Sequence, residues 1–237
     1  KLFKFLTFED SLVYDSILVD ELDYSLDIFR SILVKYNLIT KVKIIKSGQI
    51  ISVEKCLILP PIHYTPPALM RKRVLREDDT LFHLEAMKRV RTICMDIIGI
   101  DQTADKVLYH VLYINRTGIR KVNFAPLVED GDMARSFDNL KFSEQIHTFL
   151  KFSNIVCTSG GFLALLPFFL RNTKVLILYN APTKYSGWLT LGYIAGLEVC
   201  EYFENNKENN SYRLDSKLSR DVVLKINEFN GKYAVEE

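Results

Sequence analysis

Two arginines and two adjacent glycines are the residues of this chain best suited to hold an anion. Arg116 and Arg120 stand in "INRTGIR", after an apolar run, and Gly160 and Gly161 follow Ser159 in "NIVCTSGGFLALLPFF". Arginine presents a planar fork of N–H donors that suits a diphosphate. Paired glycines let the backbone turn sharply, through a positive φ where one is needed, or let a ligand come close to it. A helix opening at Phe162 would then turn its free N–H groups and positive dipole end toward a phosphate. The chain has only ten glycines in 237 residues, so two together at the end of a strand ask for a reason. A tight strand-to-helix turn without ligand is the competing reason, because the pattern is neither G-x-G-x-x-G nor a Walker loop.

The elements that must position these residues follow from apolar periodicity, which alternates between helix and strand along the chain and predicts an α/β layered fold. "YSLDIFRSILVKYNL" repeats Leu26, Phe29, Leu33 and Tyr36 at helical spacing, and "KVKII" and "QIISVEKCLIL" read as strands. "TLFHLEAMKRVRTICMDIIG" predicts one long amphipathic helix, with Thr80 as N-cap, a stripe through Leu81, Leu84, Met87, Ile93 and Ile97, and Gly99 as its stop. Strands "KVLYHVLYIN", "NIVCTS", "KVLILY" and "EVCEYF" then alternate with helices "SEQIHTFLKF", a segment from about Gly161, and "WLTLGYIAGL"; "SKLSRDVVLKINEF" is a closing helix. Such alternation implies βαβ units and a parallel sheet, whose ligands bind outside the C-terminal ends of the strands. "INRTGIR", "TSGG" and "YNAPTKYSG" all fall there. If their strands are close, Arg116 and Arg120 stand beside the Gly160–Gly161 turn, and the rim makes a nucleotide or sugar-nucleotide pocket.

Composition narrows the partners. The chain is 48% hydrophobic and 25% charged, which is ordinary for a globular protein with a sizeable core. Its 31 basic and 29 acidic residues leave a net charge of +2, so no global field argues for nucleic acid or an anionic membrane, and any anion site must be local. Cys56, Cys94, Cys157 and Cys200 include no C-x-x-C pair; they read as reduced core thiols, or as a disulfide pair if the protein is secreted. His63, His83, His110 and His147 are scattered and read as structural, so no metal is expected. No window reaches the ~18 uninterrupted apolar residues of a membrane helix. The prolines of "PPIHYTPP" predict a surface crossing that begins an interdomain segment and divides the chain near residue 75.

From about Ser52 to Phe229, roughly three quarters of the chain, the sequence resembles glycosyltransferase family 61, the capsular polysaccharide biosynthesis-type domain. "LYINRTGIRKV", "LKFSEQIHTFLKFSNIVCTSGGFLALL", "VLILYN" and "WLTLGYIAGLEVCEYF" carry the resemblance, and "FSEQIHTF" is its most specific piece. Ser159 stands where the family has the His of its His-Gly-Ala-Gly turn. Gly160 matches, Gly161 takes the Ala position, Phe162 replaces the last glycine, and Leu165 and Ile177 replace an Asn and an acidic residue. The chain is thus similar to a divergent member.

The resemblance implies a two-domain GT-B fold, with a partial or small acceptor-side α/β domain over residues 1–75 and a Rossmann-type parallel sheet over residues 76–237. It further implies inverting, metal-independent transfer of a sugar from a nucleotide-sugar donor to a glycan acceptor, with no cofactor beyond that donor. Arg116, Arg120, Ser159, Gly160 and Gly161 would hold the donor diphosphate, with Asn115 and Gln145 in support. Fixed dipoles and cations of this kind stabilise a leaving diphosphate, while a carboxylate or His takes the acceptor proton. That base is not identified. Glu9, Asp10, Asp15 and Asp20 match no motif, and Glu144 reads as a first-turn residue of a helix capped by Ser143. The alternative, from another class, is a non-catalytic transferase-like domain that binds glycan or a protein partner in a polysaccharide assembly complex. Loss of the histidine at Ser159 favours it; retention of Arg116, Arg120 and Gln145 opposes it. The resemblance places the protein in the cytoplasm or at its membrane face in a bacterium, or in the Golgi or ER lumen in a eukaryote. It is also compatible with peripheral membrane association.

Overall fold

The computed structural model describes residues 15–21, 26–55, 63–64, 81–82, 84–100, 109–116, 122–179, 187–203, 218 and 220–231. Described residues up to Ile100 pack as one compact unit and those from Tyr109 as a second.

In the first unit, β1 (Ile17–Asp20) and β2 (Val42–Ile45) pair in parallel, with α1 (Asp27–Lys35) between them in the chain. α1 buries Phe29, Ile32 and Leu33, whereas Leu26 and Tyr36 at the ends of the expected stripe are exposed. Phe29 and Leu33 close with Val19 and Leu38 into a small core. The helix stops because Asn37 takes a left-handed φ of 55°. The Leu38 N–H then reaches back to the Leu33 carbonyl at 2.7 Å, so two apolar side chains meet at the helix end. Of the strand expected over "QIISVEKCLIL", residues 49–55 form none, with Ile50 97% exposed and Ile51 and Val53 exposed as well; the rest lies outside the described residues.

β3 (His63–Tyr64) and β4 (Leu81–Phe82) pair antiparallel, so part of the "PPIHYTPP" crossing is a paired strand. α2 (Leu84–Ile98) therefore begins three residues after Leu81, and Thr80 lies outside the described residues. Its buried side chains are Ala86, Val90, Ile93, Cys94 and Met95, while Leu84 is exposed. The true stripe is rotated from the expected one. Gly99, at φ 74°, ends the helix as expected. α2 packs against α1 and belongs to the first unit, whereas a division at residue 75 would have placed it in the second.

The second unit contains β5 (Tyr109–Asn115), β6 (Met133–Ser136), α3 (Phe142–Phe149), β7 (Phe152–Thr158), a 3₁₀ segment (Gly161–Phe168), β8 (Lys174–Tyr179), α4 (Gly187–Ala195), β9 (Glu198–Phe203) and α5 (Arg220–Phe229). Its five strands lie in the order β6-β5-β7-β8-β9 with every pairing parallel, a Rossmann-like α/β arrangement. Central parallel strands are covered on both faces and so read as continuous apolar runs; β8 is buried from Val175 to Tyr179. On one face Tyr113, Val156, Leu176 and Leu178 pack with Val122 and Phe124 of the loop after β5 and with Val222 and Ile226 of α5. α3 packs on β7, α4 packs on β9, and the 3₁₀ segment packs against α4.

β6 was not legible in the sequence, because "MARS" lies at the sheet edge and alternates exposed and half-buried residues without an apolar run.

The packing of α4 on β9 gives a test of the fold. A Cβ added to Gly192 would collide with the Val199 side chain. Replacing glycine by alanine inside a helix ordinarily stabilises by up to ~1 kcal/mol. Here overpacking reverses the sign, and Gly192→Ala is expected to cost about 1–3 kcal/mol in a urea unfolding curve. Val199→Ala added to that variant should recover part of the loss, since it removes the colliding methyl groups; no recovery would mean that α4 does not rest on β9 in this way.

Candidate functional site

The loop after β5 is clamped at both ends. Arg116 and Val122 exchange backbone hydrogen bonds of 3.2 and 3.1 Å, and the Asn115 carboxamide oxygen accepts the Phe124 N–H at 2.8 Å. The Asn115 carboxamide oxygen is therefore engaged in holding the loop. Arg120 lies outside the described residues.

Strand order makes this end of the sheet special. From β5 the chain returns to β6 on one side, and from β7 it continues to β8 on the other, so the C-terminal ends of β5 and β7 flank the topological switch point. Doubly wound sheets bind ligands in the crevice at that point. There the Arg116 Nη1 donates to the Ser159 carbonyl, and a Cβ built on Gly160 would lie 2.8 Å from that nitrogen and 3.2 Å from Cζ. Arg116, Ser159 and Gly160 are thus brought together on one rim, as the parallel order requires. One of the five guanidinium N–H donors is used on the carbonyl.

Two expectations about the glycine pair are corrected. Gly160 has φ −178° and ψ 176°, an extended conformation open to any residue, so no positive φ explains it. A larger side chain would instead have to displace the guanidinium lying over the backbone. The segment that follows is also not an α-helix but a 3₁₀ stretch containing Pro167, whose missing N–H and bulky ring oppose an α-helical ladder. Its first bond runs from the Leu163 N–H to the Gly160 carbonyl at 3.1 Å, which leaves the N–H groups of Gly161 and Phe162 ahead of the ladder. A Cβ on Gly161 would meet nothing within 4 Å, so the space over it is open. Among the described residues the turn therefore offers the Arg116 guanidinium and two backbone donors instead of a helix dipole. The Ser159 N–H is held by the Leu178 carbonyl at 3.1 Å, which ties the turn to β8.

Gln145 is engaged through its carboxamide nitrogen. Its Nε2 donates to the carbonyls of Leu140 (2.8 Å) and Phe137 (3.3 Å) and pins the turn between β6 and α3. Glu144 accepts the Lys141 N–H at 2.8 Å, half of a capping box; Lys141 is thus the N-cap, and Ser143 falls one residue inside the helix rather than capping it. Among the carboxylates considered as bases, Glu9 and Asp10 lie outside the described residues, and Asp15 and Asp20 belong to the first unit.

Two of the thiols are poor nucleophiles. Burial pushes the Cys94 thiol up to about 12 and raises Cys157 as well, so neither carries appreciable thiolate at neutral pH. Cys94, Cys157 and the half-buried Cys200 are free; Cys56 lies outside the described residues. Among the described residues no three His, Cys, Asp or Glu side chains are grouped to hold a metal ion, and no helix is long and apolar enough to cross a membrane.

Two features of this rim were missed from sequence. The Tyr179 hydroxyl donates to the Glu201 carboxylate at 2.6 Å, joining the ends of β8 and β9. Their alternation was visible in "KVLILY" and "EVCEYF", but the register that sets Ile177 opposite Glu201 was not. The second is Phe162, half-buried beside the open space at Gly161, with its ring 6.1 Å from Phe137 and 6.3 Å from Phe169. No protein-family model matches this chain, and no curated protein matches it.

Proposed function

We propose that the second unit binds the diphosphate of a nucleotide sugar at the β5/β7 rim and that the protein is a divergent glycosyltransferase of family 61 type, with a GT-B arrangement. The observation that supports this most is the Arg116 guanidinium lying over Gly160 at the switch point of a parallel sheet. In this reading Arg116 and the N–H groups of Gly161 and Phe162 neutralise charge on the leaving diphosphate. A base contributed elsewhere takes the proton of the attacking acceptor hydroxyl, and the anomeric carbon inverts. Transfer needs no metal in this scheme, because the positive charge is supplied by protein groups.

One variant tests the site. Arg116→Ala removes a charge-assisted hydrogen bond to phosphate worth ~1.5–3 kcal/mol, so affinity for a nucleoside diphosphate should fall about 10- to 150-fold by calorimetry on folded protein. Unchanged affinity would remove Arg116 from the site, and a parent that binds no nucleotide would overturn the reading. The same measurement weighs the second reading, a non-catalytic transferase-like scaffold. That reading is favoured by the engagement of Asn115 and Gln145 in loop packing and by the absence of an α-helix after Gly160. Nucleotide binding without any transfer or hydrolysis of a nucleotide sugar would select it.

A further inference from the structure

We infer that Phe162 is the stacking platform for the nucleobase of the ligand held at this rim, and so favours a nucleoside diphosphate over a diphosphate without a base; the inference rests on the nucleotide-site reading above. The turn places three unlike features in succession. The Arg116 guanidinium covers Gly160, the space over Gly161 is open, and Phe162 follows as a half-buried aromatic ring. A nucleoside diphosphate has the same succession of parts: an anionic diphosphate, a sugar, and a flat base. Laying the diphosphate against Arg116 and the Gly161 backbone brings the base toward the aromatic side.

Phe162 is also braced as a platform would be. Phe169 stacks with it at a centroid distance of 6.3 Å and an interplanar angle of 27°, and Phe137 meets it edge-on at 6.1 Å and 87°. Phe169 is itself 4.2 Å from Phe149 of α3 and fully buried, so the ring is backed by the core of the unit. A ring held in this way loses little freedom when a ligand stacks on it. A phenylalanine needed only for the core would be expected to bury completely, as Phe149, Phe168 and Phe169 do; Phe162 stays partly exposed beside the open space.

The test compares ligands with and without a base. Uridine and adenosine diphosphates and inorganic pyrophosphate are titrated into the parent, Phe162→Ala, Phe162→Leu and Phe162→Trp. Base–aromatic stacking predicts an affinity loss of about 5- to 150-fold for the nucleoside diphosphates in Phe162→Ala. Phe162→Leu, which keeps apolar bulk without an aromatic face, should lose affinity likewise. Phe162→Trp should retain affinity, and pyrophosphate should bind all four proteins equally. Equal nucleotide affinity in the parent and the Ala and Leu variants overturns the inference, as does a loss that pyrophosphate shares, which would mean that the turn itself had moved. A parent that binds pyrophosphate but no nucleoside diphosphate overturns the nucleotide-site reading and this inference with it. A parent that binds neither overturns the nucleotide-site reading.

Discussion

Phe169→Ala is expected to cost the second unit about 3–5 kcal/mol, the range for emptying a fully buried phenylalanine site. Phe169 is 0% exposed, sits 4.2 Å from the Phe149 ring, and ends the 3₁₀ segment that descends from the glycine turn. The cavity is therefore left between α3 and that segment, where a rigid sheet behind limits collapse. Urea unfolding followed through Trp188, the only tryptophan, should show the midpoint falling with little change in slope. The loss should also loosen Phe162, so nucleotide affinity should fall with it. A cost below about 1 kcal/mol would show that the site relaxes and that the aromatic cluster does not brace the turn.

Gly160→Val should have the largest effect on binding. Its φ and ψ suit valine, so backbone strain does not decide the outcome. A Cβ at 2.8 Å from the Arg116 Nη1 instead forces the guanidinium off the Ser159 carbonyl and out of the rim. The loss in nucleotide affinity should match or exceed that of Arg116→Ala, about 10- to 150-fold or more. Stability should fall by no more than the one hydrogen bond that is lost, ~1.5–3 kcal/mol. Gly161→Ala is the control: nothing lies within 4 Å of its Cβ, so stability should stay near the parent's. Calorimetry and melting temperature on the three proteins check both arms. Parental affinity in Gly160→Val would move the anion site away from this turn, and a matching collapse in Gly161→Ala would make the pair a folding requirement only.

These expectations depend on features that differ in how far they can be read along the chain. β5, β7, β8 and β9, with α3, α4 and α5, were legible because each is a local run of one periodicity bounded by turn residues. Gly99 as a helix stop was legible for the same reason: a left-handed residue after the last turn is a local requirement. The α2 stripe was not, because which side of a helix is buried depends on what it packs against. With Leu81 drawn into a pair with Tyr64, the helix starts later and turns Ala86, Val90 and Ile93 inward.

The site divides in the same way. Sequence alone determined that an arginine follows one buried strand and a glycine pair another, and that parallel strands would bring such ends to a common edge. Only the tertiary structure decided that β6 lies outside β5, so that β5 and β7 are neighbours and Arg116 meets Ser159 and Gly160. It also decided that the Asn115 Oδ1 and the Gln145 Nε2 bond to loop backbone, and that the turn opens into a 3₁₀ segment with Phe162 at its mouth. Periodicity is a property of neighbours in sequence and survives in a single segment. Strand order, register and the partner of a side chain are settled by which surfaces compete to be buried, and those surfaces are supplied by segments dozens of residues apart.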